Sequence, residues 1–138
     1  MGAREQDDLI SIGELARRAG IATSAVRYYE RRGLLVADER RSGQRRYTTE
    51  SLRLLIFIGM LQDAGLSLDD IEGILAASST AEWKAIARER LAALDAEIER
   101  LELARAYLKG ALHCRYDHPA TDCRVMAFEI DRRLAARP

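Results

Sequence analysis

Apolar residues recur at helical spacing along most of the chain. Ile12, Leu15, Ala16 and Ala19 form one face of a first helix, which ends at Gly20. It opens at Ser11 and Glu14, a pair able to satisfy each other's orphan amides as a capping box. Ala25, Val26 and Tyr29 place a second helix between a Thr23 or Ser24 cap and about Arg32, with Gly33 ending it and Val26 and Tyr29 as its core positions. Two short helices flanking a glycine-containing turn make a helix-turn-helix pattern. The periodicity then lapses. Leu34-Leu35-Val36 leads into a polar run from Asp38 to Tyr47, interrupted by Ser42-Gly43, which predicts a small β-hairpin with arginine on its tip and return strand. A third helix, capped by Thr48 or Thr49, carries Leu52, Leu55, Ile56 and Ile58 and ends at Gly65. A fourth starts at Ser67-Leu68-Asp69-Asp70, with acids in its first turn, and ends near Ala77.

From about Thr80 to Leu112 there is no proline, and Gly110 is the only glycine. Leu91, Leu94, Ile98, Leu101, Leu108 and Leu112 alternate at three- and four-residue spacing, with Arg105 breaking the series, so they form a heptad seam. A helix of roughly 30 residues extends about 45 Å, more than a small domain covers. An antiparallel homodimer is the simplest way to bury the seam, and packing within the chain is the alternative. Trp83, early in this helix, is expected to pack it against the preceding helices. A polar loop follows, then a short helix with Val125, Met126, Phe128, Ile130 and Leu134 apolar. The expected fold is mainly α: a helix-turn-helix head with a hairpin and a second helix pair over 9–77, a long antiparallel coiled-coil dimerisation helix over 80–112, and a C-terminal loop and short helix over 113–138.

Charge redraws this picture. Across 138 residues, 22 basic and 22 acidic side chains sum to zero, a total that taken alone disfavours a polyanionic partner. The distribution says otherwise. Residues 11–53 hold ten arginines against five acids, whereas 67–104 hold nine acids against four bases. Only Lys84 and Lys109 are lysines, and arginine's planar fork suits phosphate and guanine edges. A solvated basic face is the alternative reading. No apolar run approaches the length of a membrane span, and the opening MGAREQDDLI is polar and acidic, so a cytoplasmic location without membrane attachment is expected. No phosphate-binding loop and no set of nucleophile, base and orienter can be assigned, which argues against an enzyme.

Both cysteines and both histidines of the chain fall between 113 and 123. Cys114, His118 and Cys123 offer two thiolates and an imidazole, a set suited to Zn(II) or another thiophilic ion, with His113, Asp117 and Asp122 as extra candidates. Two thiolates alone suit a monovalent copper ion. Three alternatives stay open: a redox-switched disulfide between Cys114 and Cys123, inert cysteines, or an organic effector.

Ile12-Gly13-Glu14-Leu15-Ala16, the run Val26-Arg27-Tyr28-Tyr29-Glu30-Arg31-Arg32-Gly33-Leu34-Leu35, the hairpin Arg45-Arg46-Tyr47 and Gly65-Leu66-Ser67-Leu68 together resemble the MerR family of bacterial transcription regulators, over residues 9–112. The resemblance implies a winged helix-turn-helix head, a dimerisation helix and a C-terminal effector-sensing segment. It also implies a homodimer that binds promoter DNA and, with effector, distorts it so that RNA polymerase engages. The order Cys114, His118, Cys123 resembles the binding loop of zinc-responsive members. Those carry a Cys-Cys pair where this chain has His113-Cys114, and they draw a partner cysteine from near the start of the dimer helix, where Ser79 and Thr80 stand here. Copper-responsive members space two cysteines more closely, with no histidine between.

Within this frame the second helix is the recognition candidate, with Thr23, Arg27 and Tyr28 near its N-terminal part. Arg27 suits a base or a phosphate. Arg41, Arg45 and Arg46 suit phosphate contact or minor-groove insertion. Tyr47 suits either a phosphate contact through its hydroxyl or packing.

Overall fold

The computed structural model describes residues 9–138; the opening segment read for its polarity lies outside them, as does the side chain of Arg41. The chain forms two compact units, one reaching to Arg90 and one from Leu91 to Pro138.

In the first unit, β1 (Ile10–Ser11) leads into α1 (Ile12–Ala19) and α2 (Thr23–Arg31). The hairpin β2 (Glu39–Arg41) and β3 (Gln44–Tyr47) follows, then α3 (Thr49–Asp63), α4 (Leu68–Ala76) and the start of α5 (Thr80–Ala111). The strands form an antiparallel sheet in the order β1-β3-β2. Ser42 and Gly43 join the hairpin with φ of 52° and 76°. Positive φ at both central positions is the type I′ turn, whose twist matches that of the strands. It fixes Arg40 opposite Arg45 and Arg41 opposite Gln44.

Leu15, Val26, Tyr47, Ile58 and Ile71 are fully buried, one each from α1, α2, β3, α3 and α4, so a single core locks the hairpin to the helices. Each such burial contributes about 1.5–3 kcal/mol. Ile86 of α5 packs against this core. That corrects the reading of Trp83, which is exposed and has the Lys84 ammonium over its ring at 5.6 Å.

The helix starts follow local chemistry, with three departures from the sequence reading. Ser11 accepts from the Glu14 amide at 3.2 Å, but the Glu14 carboxylate turns to Arg17 and Arg18 instead of completing the box. Charge-assisted bonds to guanidinium outcompete an amide. α2 begins at Thr23 itself, with Ala22 as a cap lacking any side-chain bond, because Ala22 already supplies the carbonyl that receives the Ala25 and Val26 amides. Thr48 caps α3 without a bond of its own. Asp38, ten residues upstream, accepts from the Thr48 amide (3.0 Å), the Thr48 hydroxyl (3.1 Å) and the Ser51 hydroxyl (3.1 Å) on one oxygen. At α4 the Ser67–Asp70 box is complete.

α3 ends at Gly65, whose φ is 80°. The Arg90 Nε donates to the Ala64 carbonyl there at 2.9 Å. A Cβ on Gly65 would lie 2.2 Å from the same guanidinium, so glycine serves both the backbone and the arginine.

The second unit holds the remainder of α5, then α6 (Pro119–Asp122) and α7 (Arg124–Ala135). No residue of α5 is buried, and Leu91, Ile98, Leu101, Leu108 and Leu112 are exposed, with Leu94 half-buried. Cys123 closes α6 and stands as N-cap to α7.

Candidate nucleic-acid interface and thiol pair

α2 and the hairpin enclose a cleft of about 410 Å³ lined by Ser11, Ile12, Arg27, Arg40, Gly43, Gln44 and Arg45. Three guanidinium groups converge on it, and among the described residues no carboxylate lines it. Arg40 and Arg45 face each other across the strands, a like-charge pair that is destabilising until an anion sits between or beside it. Arg45 is relieved in part by Glu30, whose carboxylate lies 3.2 Å from its Nε. Among the described residues, Arg27 and Arg40 have no carboxylate partner.

Several other arginines of this unit are engaged. Arg17 and Arg18 hold Glu14, chiefly through the Arg17 bond, and keep that carboxyl at about 2. Arg32 reaches from α2 to α4, donating to Glu72 (2.7 Å) and Asp69 (2.8 Å), and is thereby a structural cation. It also donates to the Tyr28 hydroxyl at 3.2 Å, while Arg31 lies over the Tyr28 ring.

Of the residues read from sequence, the geometry brings Arg27 and Arg45 into one cleft. Thr23 is the first residue of α2 and half-buried, and Tyr28 is exposed on α2. The Arg41 backbone belongs to β2. Arg46 is half-buried, its Nη2 3.4 Å from Gln44 Oε1. Tyr47 has no exposed surface, and its hydroxyl donates to Glu30. Burial first, then that carboxylate, raises its phenol well above the ordinary range. Of the two roles read for Tyr47, packing is the one this geometry carries. Sequence reasoning missed Arg40 as a site residue. Counting back across a two-residue turn at Ser42-Gly43 would have placed it opposite Arg45.

In the second unit, Cys114 and Cys123 come together. Both sulfurs line one cavity, and the Cys123 thiol is held below its ordinary value chiefly by the Met126 amide, with the Val125 amide and the Cys114 thiol adding to it. A thiol at a helix N-terminus is the setting that favours thiolate. His118 is the N-cap position of α6 through its backbone, with no side-chain capping bond. A structural zinc ion takes four nitrogen, sulfur or oxygen ligands. Among the described residues no three His, Cys, Asp or Glu side chains converge on one point. Beside the sulfurs opens an apolar cavity of about 640 Å³.

A helix-turn-helix with a hairpin wing, presenting unpaired arginines from the second helix and the wing, defines a DNA-binding architecture. Comparison with known proteins gives the family. A family model described as the MerR HTH family regulatory protein matches residues 10–78, and one described as MerR, DNA binding, matches 52–111. An HTH-type transcriptional regulator of Pseudomonas aeruginosa is 34% identical over 124 residues, covering 85% of this chain and 93% of that protein. A heavy metal-dependent transcription regulator of Rhizobium meliloti is 30% identical, covering 85% and 84%. Among solved structures, a MerR family regulator of Listeria monocytogenes superposes with a TM-score of 0.62 at 23% identity, over 94% of this chain and 99% of that one. The chain belongs to the MerR family of DNA-binding transcription regulators, which are not enzymes. Among the described residues no helix is long and apolar enough to cross a membrane.

Proposed function

We propose that this regulator meets promoter DNA as a homodimer through the α2–wing cleft, and activates transcription by distorting the promoter so that RNA polymerase engages. The observation that carries the reading is the convergence of Arg27, Arg40 and Arg45 on one cleft between α2 and the wing. Phosphate supplies the anion that Arg27 and Arg40 lack among the described residues. Exposed seam residues such as Ile98 and Leu101 supply the apolar face for a second copy. A MerR family regulator lacking its sensor domain and bound to promoter DNA shares the fold, with a TM-score of 0.56. The test is promoter affinity across salt concentrations. Arg27→Ala and Arg40→Ala each weaken binding and reduce the salt slope by about one, while Arg17→Ala leaves both unchanged. Equal slopes for all three variants exclude the cleft as the DNA surface.

The division of labour proposed places DNA binding in 9–77, dimerisation in 80–112 and effector sensing in 113–138. The effector centre is the Cys114–Cys123 pair. Two sulfurs suit a thiophilic ion, and His118 is the third ligand available to a Zn(II)-type ion on the same loop. The heavy metal-dependent relative supports a metal as effector. Silver(I) serves as probe: Cys114→Ser abolishes its effect on promoter transcription and leaves DNA affinity intact. The thiol–thiol hydrogen bond favours a second reading, a disulfide switch, under which a peroxide and not the ion alters transcription.

A further inference from the structure

Arg32 stands at the end of α2, one turn beyond Tyr28, and its guanidinium joins three partners. Its Nε donates to Glu72 at 2.7 Å and its Nη2 to Asp69 at 2.8 Å, both on α4. Its Nη1 lies 3.2 Å from the Tyr28 hydroxyl. A planar fork held by two carboxylates has little freedom to turn, so α4 aims the third nitrogen. α4 is itself firmly mounted. Ile71 is fully buried, and a Cβ on Gly73 would come 2.9 Å from the Ile86 side chain of α5. A guanidinium has no acceptor, so the Tyr28 oxygen accepts from it. That occupies a lone pair and leaves the phenol's one hydrogen to donate elsewhere. Among the described residues nothing accepts that hydrogen, and the ring is 39% exposed on the recognition helix. Arg31 lies over the same ring at 5.8 Å, so two guanidinium groups flank the tyrosine and favour an anionic acceptor beside it.

We propose that Arg32 is a positioning residue for DNA: held by Asp69 and Glu72, it fixes the Tyr28 hydroxyl as a donor to a backbone phosphate oxygen. The inference rests on the reading that α2 faces DNA. It adds a contact made by a neutral group outside the α2–wing cleft, whose walls do not include Tyr28. A hydroxyl that accepts from a cation donates more strongly, since successive hydrogen bonds polarise one another. The place of that hydroxyl is thus set by α4 as well as by the helix that carries it.

The test is a double-mutant cycle in the affinity of the full chain for a mixed-sequence DNA duplex, since a phosphate contact carries no sequence information. Tyr28→Phe weakens binding about tenfold, the worth of a hydrogen bond to a charged group. Its salt slope stays as in the parent, because a neutral donor displaces no counterion. Arg32→Ala weakens binding about fivefold in the parent and at most about twofold in the Tyr28→Phe background, the remainder being the long-range pull of one charge. Arg32→Lys keeps the charge and its ion pairing and loses only the fork. It therefore folds where Arg32→Ala does not, and its loss likewise disappears with Tyr28→Phe. Losses that multiply in the double variants make Arg32 a structural cation only, and overturn the proposal. Parent affinity in Tyr28→Phe, a change on an exposed ring, overturns it whatever the Arg32 variants do. The two readings fail separately. If Arg27→Ala and Arg40→Ala weaken binding and Tyr28→Phe does not, the cleft stands and this contact falls. If all three bind as the parent does, α2 is not the DNA surface.

Discussion

The hydroxyl of Tyr47, at the end of the wing, donates to the carboxylate of Glu30 on the recognition helix. The same carboxylate holds Arg45 at 3.2 Å. One acid thus joins the core to the DNA-facing surface: its inner bond fixes wing to helix, and its outer bond aims an arginine.

Tyr47→Phe tests the inner bond. It keeps the packing and removes the donor, leaving a mostly buried carboxylate short of a partner, at a cost of about 2 kcal/mol. Urea denaturation shows a lower midpoint with an unchanged slope. The salt dependence of DNA binding stays as in the parent, because Tyr47 touches no phosphate.

Asp38→Ala removes three hydrogen bonds that start α3, and costs about 1–2 kcal/mol, the range of a lost helix cap. Asp38→Asn retains an acceptor and loses less. If the two variants denature alike, the carboxylate is not the cap.

Gly65→Ala forces a residue with a Cβ to adopt a φ of 80° and drives off the Arg90 guanidinium, at a cost of about 1–2 kcal/mol. Much of that cost is backbone conformation. In an Arg90→Ala background the penalty therefore shrinks only by the share owed to the lost bond to Ala64, which a double-mutant cycle in thermal unfolding measures.

The lowered Cys123 thiol makes a pH prediction. Because its folded value lies below its unfolded one, its contribution to stability is complete above the unfolded value and is lost as pH falls through the folded value. Iodoacetamide therefore labels Cys123 at a lower pH in the folded protein than in urea. Identical pH profiles in the two states would falsify the role given to the α7 amides.

The parts of the fold that were legible in sequence are those whose causes lie within a few residues. Ser67 and Asp70, the turn at Ser42-Gly43 and the core spacing of Val26 and Tyr29 all declare themselves locally. Asp38 and Arg90 do not, because the groups they satisfy lie ten and 26 residues away. The cationic cleft was half legible: composition located the arginines, but only the hairpin register separates Arg40, which lines the cleft, from its neighbours. The thiol pair shows the opposite limit. Clustering in sequence grouped Cys114, His118 and Cys123, but only the break between α6 and α7 places Cys123 with Cys114 on one cavity wall.

The facing Arg40 and Arg45 carry a consequence for motion. Repulsion across the β2–β3 pairing, with β2 at the edge of the sheet, lowers the free energy of local opening, so the free wing exchanges its amide protons faster than the core does. An anion that settles between the two guanidinium groups binds only the closed ribbon and slows that exchange by mass action. The wing thus couples its own folding to occupancy, and the backbone amides of residues 39–47 record, in their exchange rates, whether a phosphate is present.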